Sequence, residues 1–597
     1  MTADPVPREP ARMTPQLALA TLLLVASFLV FTLATVPQLT FPYELNYGEG
    51  VLLDQARRVT EPAGLYPPFE QAPYVIDNYP PVYPLLVGLL PGLETAPFFT
   101  ARLISLLATL VAAFMVALIV RRWSGDVAAL TGAAVFLSLP QINDFAEFAR
   151  IDSLALCLGL VGMYCTLRDD HPRWRWIGCA AFFFSIYTRH SSIALPLATF
   201  FILWRTEGRK SLVWPFGLLA AGAAAYVGLH LWTGGRIYEH LIHFNVLDYS
   251  WMHDPLAQPP TPPGTMEKWF GGFYPMGYLL VTASFLAFVP LNMVGKVQWN
   301  LHARATALLF LGAVGFLVVV YAKSIAHGRW GVPPTHFLEG GKYVAGWNLY
   351  YNLASFHVAM AVAALLAAWR WWHGKGEAYG ALVLFGMASA LMIGRAGSDT
   401  NYLFELSAVL TIAAAASLGR GPAWLRSTAA VLLVVTVASN VYLLEWSQGG
   451  EGARDSRPSR IREIGGAHSK ILQALSQFDG PILADNPSFA AILGKEMHYQ
   501  PFMYRQLREA QVWDPEGLHS AIRDQYFDAV VISAISALVD PTDPAGQVIW
   551  VAAPSSYMED TRERWLKRYY KPSGVAAYEI ITQATSFHWQ VWVRRDQ

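Results

Sequence analysis

Long apolar runs recur from residue 16 to residue 445, separated mostly by short polar connections, and they constrain this chain more than any other feature. The first, LALATLLLVASFLVFTLATV (17–36), has the roughly 20 residues that a helix needs to cross the hydrocarbon core of a bilayer. Further runs stand near 97–120, 127–143, 152–167, 175–190, 191–205, 211–232, 275–295, 304–322, 349–369, 378–394, 402–419 and 427–445, about 13 in all. Composition agrees: 14% of the 597 residues are charged, against about 25% in a soluble domain. The sequence therefore predicts an α-helical polytopic membrane protein. Formal net charge is zero, so no global field favours nucleic acid. Cys157, Cys165 and Cys179 lie in or beside apolar runs and read as small buried residues.

Charge sidedness tests the span assignment. Residues 1–15 carry Arg8 and Arg12 and lack an obvious cleavage site near the first run, so they read as a cytoplasmic tail before an anchor helix. The even-numbered connections then hold Arg121 and Arg122, Arg168, Arg173 and Arg175, Arg205, Arg209 and Lys210, Lys296 and Arg304, Arg370 and Lys375, and Arg420 and Arg426. The odd-numbered ones hold most of the acids, among them Glu44, Glu49, Asp54, Asp77, Glu147 and Asp399. The expected topology is an inner-membrane, multi-pass protein with the long loop 41–84 outside. The tail from 446 to 597 differs in kind. PILADNPSFAAILGK (481–495) reads as strand, turn and helix, FDAVVISAI (527–535) as a buried strand and WQVWVRRD as an edge strand. A small extracytoplasmic α/β domain follows, more consistent with a binding or structural cap than with a second active site.

Polar and charged groups at the outer helix ends are the candidate functional residues, because such groups near a bilayer are costly unless paired or hydrated. They are Arg150 and Asp152 in FARID, Arg189 and His190 in YTRH, His243 in EHLIHFN, Lys342 in GGKY, and Arg395, Asn401 and Tyr402 in GRAGSDTNY, with Tyr79 in the loop. Structural pairing is the other role open to Arg150 and Asp152, and lipid anchoring to Arg189 and Arg395. His240 and His243 share the spacing of metal ligands, although a hydrogen-bonded or solvated pair fits them better. A divalent metal is possible, but no ligand motif supports one. In the loop, VLLDQARRV (51–59) alternates as an amphipathic helix suited to the membrane interface.

One carboxylate with several cations suits transfer from a phosphate-linked sugar. The phosphate leaves as an anion, so it needs cations rather than a general acid, and one base takes the proton of the attacking hydroxyl. Hydrolysis of a glycoside usually needs two carboxylates. Lipid-linked-sugar transport and a non-catalytic scaffold for envelope assembly are the alternatives, transport predicting charges at span centres and a repeat of two halves.

The acidic first outer loop, NYPPVYPLL (78–86), ARID (149–152) and GSDTNYLFE (397–405) resemble the polyprenyl-phosphate-sugar-dependent glycosyltransferases of the C superfamily, especially the bacterial family 39 aminoarabinose and mannosyl transferases. The resemblance covers residues 15–445. In that family an Asp-Glu pair precedes an Ala-Arg by seven residues on a membrane-parallel helix. Glu49 precedes Ala56-Arg57 at that spacing and so matches the second acid, while Gly48 replaces the first. The resemblance implies two helices along the outer face in the first loop, a polyprenyl-phosphate sugar donor entering laterally from the membrane, and inversion at the anomeric carbon. It makes Glu49 the expected base, with Glu44 as the second candidate. Arg189, Arg395 and Lys342 are expected on the donor phosphate, with Arg150, Asp152, Asn401 and Tyr402 shaping the cavity and Tyr79, His190 and His243 completing the substrate-binding set. The acceptor, an envelope lipid, polysaccharide or protein, stays open.

Overall fold

The structure, a computed structural model, describes residues 14–245 (except 62–63, 91 and 93–95), 357–372, 377–390, 400–446, 457–538, 548–552, 566–582 and 585–596. Helices stand at every predicted run inside those residues, while the runs near 275–295 and 304–322 lie outside them. The bundle comprises α1 (Pro15–Leu39), α4 (Pro97–Ser124), α5 (Asp126–Ser138), α7 (Ile151–Thr166), α8 (Arg173–Thr188), α9 (Ala194–Glu207), α10 (Val213–Trp232), α11 (His357–Trp372), α12 (Glu377–Ala390), α13 (Phe404–Arg420) and α14 (Ala423–Trp446). Among the described residues, five runs are long and apolar enough to cross a membrane: Pro15–Leu39, Pro97–Ser124, Ala194–Trp232, Asn401–Arg420 and Ala423–Val441.

Local chemistry sets the helix ends. The Thr14 hydroxyl accepts from the Leu17 amide at 3.2 Å, with Pro15 in the first turn, where its missing N–H costs nothing. The α4–α5 reversal turns on Gly125, whose φ of +84° favours glycine. Arg121 in the last turn of α4 meets Asp126 in the first turn of α5 at 2.6 Å, each charge complementing its helix dipole. The same end of the bundle collects Arg122, which pairs with Asp169 at 2.6 Å, and Arg420, which donates to the Trp123 carbonyl. These connections that read as basic in the sequence thus gather at one end. Inside the bundle, α13 is buried along most of its length, and its Ala-rich stretch admits close neighbours: a Cβ on Gly132 of α5 would stand 3.1 Å from the Ala415 Cβ.

At the opposite end, the loop 41–84 carries α2 (Glu49–Arg58) and leads into α3 (Val82–Gly88). The two pack at backbone contact, since a Cβ on Gly88 would meet the Ala56 carbonyl. The pattern 51–59 predicts one face of α2 in the lipid interface. Instead, every residue of α2 except Arg57 is buried. The C-terminal residues cover it, and Gly50 lies against the Ser488 backbone.

Those residues form α15 (Arg457–Leu475), α16 (Ser488–Ile492), α17 (Pro501–Glu509) and α18 (Glu516–Arg523), with a five-stranded sheet in the order β1 (Ile482–Ala484), β2 (Ala529–Leu538), β5 (Thr585–Arg594), β4 (Tyr570–Thr582) and with β3 (Val548–Ala552) also on β2. β1 and β2 run parallel, and the remaining pairs are antiparallel. WQVWVR therefore sits in an interior strand, β5, between β2 and β4, rather than at an edge. The sheet-bearing unit is sewn onto the loop. Tyr74 N–H donates to the His498 carbonyl and Gln500 N–H to the Tyr74 carbonyl, both at 2.9 Å. Arg57 reaches the Ala491 carbonyl at 2.9 Å and the Lys495 carbonyl at 3.2 Å.

Candidate active site

Glu49, the expected base, is, like Glu44, not among the residues that line the cavity described below. It is fully buried at the start of α2. Its Oε1 accepts from Arg102 Nε at 3.0 Å and from the Ala149 amide at 2.7 Å. Its Oε2 accepts from Arg102 Nη2 at 2.9 Å and from the amides of Leu45 and Asn46 at 2.7 and 3.3 Å. These five donors saturate the roughly four lone-pair sites of a carboxylate. Burial alone would raise its pKa, but the Arg102 charge and hydrogen bonds outweigh burial and hold it below the ordinary value. Arg102, in α4, uses its remaining N–H groups on the carbonyls of Gln38, Phe41 and Tyr43 at 3.0, 2.6 and 2.6 Å. The pair bolts the loop to the bundle. Sequence reasoning missed Arg102, although an arginine inside the apolar run FFTARLISLLATL was the signal for it.

Glu44 is placed differently. The chain 44–48 folds back so that Glu44 Oε1 accepts from the amides of Gly48 and Gly50, both at 3.1 Å, across the N-terminus of α2. The turn passes through Gly48 at φ +101°. Burial, and then the negative charge of Glu49, push the Glu44 pKa up to about 7. That value suits a proton acceptor at neutral pH. A second buried group fixes the rest of the loop: Arg58 bonds Asp54 at 2.8 Å and Asp77 at 2.5 and 2.9 Å, and Asp77 also accepts from the Tyr66 amide at 2.7 Å.

A cavity of about 170 Å³ opens beside Tyr47 and Gly48, between the bundle and the C-terminal unit. It brings together Tyr79, Arg150, Asp152, Arg189, His190, Asn401 and Tyr402, the greater part of the predicted binding set. Arg150 is the N-cap of α7 and Arg189 the C-cap of α8, so both guanidiniums leave helix ends. Arg150 holds the loop through Asn46 Oδ1 at 3.0 Å and the Tyr47 carbonyl at 2.9 Å, and donates to the Tyr79 hydroxyl at 3.3 Å. Arg189 Nη1 lies 3.0 Å from Asp152 Oδ1 and donates to the Asn401 carbonyl at 3.1 Å, with its guanidinium carbon 4.4 Å from the Tyr402 ring centroid. Asn401 Nδ2 donates to Asp152 Oδ1 at 3.0 Å. Among the described residues, two guanidiniums thus face one carboxylate, and these side chains together carry a net positive charge. Asp152 both balances and orients them.

His243 stands outside the cavity, stacked on Tyr238. His240 accepts from the Asp77 amide on Nδ1 at 2.9 Å, so the Nε2 that faces the Pro67 carbonyl carries the proton. Burial lowers its pKa to about 4, which keeps it neutral. Lys342 and Arg395 lie outside the described residues. Among the described residues, no three His, Cys, Asp or Glu side chains stand close enough to share a metal ion. Tyr47, Asn78, Gln500, Phe502 and Met503 also line the cavity and were not found from the sequence. The last three belong to the C-terminal unit, where nothing local distinguishes them.

Residues 78–232, which contain Tyr79, Arg150, Asp152, Arg189 and His190, match the family of dolichyl-phosphate-mannose-protein mannosyltransferases. The match spans about a quarter of the chain and takes in close to half of the residues on the cavity wall. Among solved structures, the chain is similar to ArnT from Cupriavidus metallidurans in the apo state, at 12% identity over 96% of this chain and 98% of that one, with a TM-score of 0.42. It is likewise similar to the same enzyme bound to undecaprenyl phosphate, at 12% identity, the same coverage and a TM-score of 0.40. A third similarity is to the Archaeoglobus fulgidus oligosaccharyltransferase tethered with an acceptor peptide, at 12% identity over 90% of this chain and 74% of that one, with a TM-score of 0.46. No curated protein sequence matches the chain.

Proposed function

We propose that this glycosyltransferase moves a sugar from a polyprenyl-phosphate donor to a hydroxyl of a cell-envelope acceptor, inverting the anomeric carbon, at the outer face of the cytoplasmic membrane. The observation that carries the reading is the convergence of Arg150 and Arg189 on a cavity with one balancing carboxylate, Asp152. Such a site favours a phosphate anion. In the transfer, the acceptor oxygen bonds to the anomeric carbon as the bond from that carbon to the phosphate oxygen breaks. The electron pair leaves on the phosphate, which the arginines stabilise, and the acceptor proton passes to a carboxylate.

Glu44 is the carboxylate proposed for that role. It stands behind the Tyr47–Gly48 wall of the cavity, and its pKa of about 7 leaves a large fraction ionised at neutral pH. Glu49 instead holds the loop through Arg102. Asp152 and Asn401 orient Arg189, while Tyr402 stacks beneath it. The basic connections at the far end of the bundle support, by the positive-inside rule, a topology with the loop and the C-terminal unit on the extracytoplasmic side. The test is E44Q in purified, lipid-reconstituted protein. Transfer from a labelled donor is expected to fall by about 10²–10⁴-fold, the range for loss of a general base, with binding of undecaprenyl phosphate retained. Transfer at the wild-type rate would overturn the assignment.

A further inference from the structure

The basic end of the bundle, opposite the cavity, holds more cations than its neighbouring acids pair. α8 and α10 begin there and α9 ends there. Arg175 of α8 pairs with Glu207 of α9, and the rings of Trp176 and Trp214 meet edge-on with centroids 5.0 Å apart, so the three helix ends are tied together. The other acids of this corner are also engaged. Asp169 pairs with Arg122 at 2.6 Å, and Asp170 pairs with Arg168 and accepts from Trp174 Nε1 at 3.2 Å. Arg173, Arg209 and Lys210 are exposed, and among the described residues none of them has a carboxylate partner. Arg173 stands about one helical turn before Trp176, and Lys210 about one turn before Trp214, so these cations flank the indole pair. Trp176 is 69% exposed, and beyond it Val213 and Phe216 open the fully unburied face of α10.

We infer that this corner binds an anionic phospholipid, with the headgroup phosphate among Arg173, Arg209 and Lys210, the Trp176–Trp214 pair at the headgroup–acyl boundary, and an acyl chain along Val213 and Phe216. The inference stands apart from the transfer reading and needs only that the bundle lies in a bilayer. Charge selects an anion, because the acids of the corner are already paired and the three cations are left over. Order along the chain selects a lipid over a soluble anion. Cations, indoles and an exposed apolar helix follow one another as phosphate, interface and hydrocarbon do in a bilayer leaflet. Other cations of the same end are engaged elsewhere: Arg121 holds Asp126, and Arg420 donates to the Trp123 carbonyl. Arg426 is exposed beside an exposed Trp424, but it is a single cation on another helix, α14. A lipid held between the starts of α8 and α10 would also brace α10, of which no residue is buried against the protein.

The test titrates the full-length, detergent-purified protein with phosphatidylglycerol, phosphatidylcholine and inorganic phosphate, reading bound lipid by native mass spectrometry. The wild type is expected to bind phosphatidylglycerol about tenfold or more tighter than phosphatidylcholine, and inorganic phosphate far more weakly than either lipid. The triple variant R173Q/R209Q/K210Q changes only exposed side chains and is expected to lose that preference, while R426Q keeps it. Equal binding of the two lipids by the wild type overturns the inference, as does a preference that survives the triple variant. Loss of the preference in R426Q to the same extent as in the triple variant overturns it too, because the attraction would then belong to the whole basic end. Inorganic phosphate bound as tightly as phosphatidylglycerol would mean a site for a soluble anion and would overturn the lipid.

Discussion

Replacing Glu49 by glutamine separates a bolt from a base. All five groups that Glu49 meets are N–H donors: Arg102 Nε and the Ala149 amide on one oxygen, Arg102 Nη2 and the amides of Leu45 and Asn46 on the other. Whichever way the new amide turns, its N–H₂ faces at least two donors, and Arg102 loses its counter-charge in a site with no solvent access. Each buried donor left unsatisfied costs about 1–3 kcal/mol, and breaking one side of a buried ion pair costs about 3–5 kcal/mol. Arg102 keeps three carbonyl acceptors, so the expected loss lies near the lower end, about 3 kcal/mol. The assay is thermal unfolding of the detergent-solubilised protein, with donor transfer measured on the folded fraction. E49Q is expected to unfold at clearly lower temperature than the wild type and E44Q. Its folded fraction should retain more transfer than E44Q. An E49Q protein as stable as the wild type yet devoid of transfer would refute the bolt and restore Glu49 as the base.

Two further outcomes follow from the same site. If Glu44 is the base, kcat/KM rises as pH climbs through about 7, because the ionised form is the active one. Stability runs the other way. A carboxyl whose pKa is raised on folding contributes stability that is fully present below its ordinary value of 4.5 and is lost as pH rises through about 7. Denaturation from pH 5 to pH 8 is therefore expected to show E44Q gaining on the wild type, by as much as about 3 kcal/mol, and parallel curves would contradict a raised Glu44. At the phosphate end, Arg189→Met leaves Asp152 without its nearest cation and is expected to weaken binding of undecaprenyl phosphate by about tenfold or more. Arg189→Lys should recover only part of that loss, since an ammonium is a compact point charge without the planar fork that spans Asp152 and a phosphate bidentately; full recovery in a binding titration would count against the two-sided role.

Much of this arrangement was legible in the sequence because a polar group at a helix end beside lipid must have a reason. Arg150, Asp152, Arg189 and Asn401 were singled out on that ground, and they meet in one cavity although Asp152 and Asn401 stand 249 positions apart. What was not legible depends on partners distant along the chain. Asp54 and Arg58 look like the solvated face of an amphipathic helix, yet they are buried with Asp77. Charge pattern alone does not distinguish water from a buried counter-ion. The match in spacing to Ala56-Arg57 selected Glu49, but its saturation by Arg102 is a tertiary fact, 53 positions away. Gln500, Phe502 and Met503 carry no local signature, since their role comes from docking onto Tyr74 and Ile76.

Gly48, where the resembling family carries its first acid, turns from an apparent defect into a prediction. Its φ of +101° suits glycine, and holding another residue there costs of order 1–3 kcal/mol. A Cβ at this position would lie 2.9 Å from Arg150 Nη1. An aspartate at 48 would therefore pair with Arg150 and compete with its bonds to Asn46 and the Tyr47 carbonyl. Such a carboxylate would sit against a cation, with its pKa lowered rather than raised. Glu44 reaches the amides of Gly48 and Gly50 from four residues upstream, where burial and the Glu49 charge raise its pKa instead. Introducing G48D into the E44Q protein is accordingly expected to leave transfer near the level of E44Q alone, measured as release of labelled polyprenyl phosphate. Recovery of most of the wild-type rate would mean that the base belongs at position 48 and that Glu44 merely occupies its space. The left-handed turn and the Arg150 contact both act against an acid at 48, and this is why the proposed base is sought at Glu44.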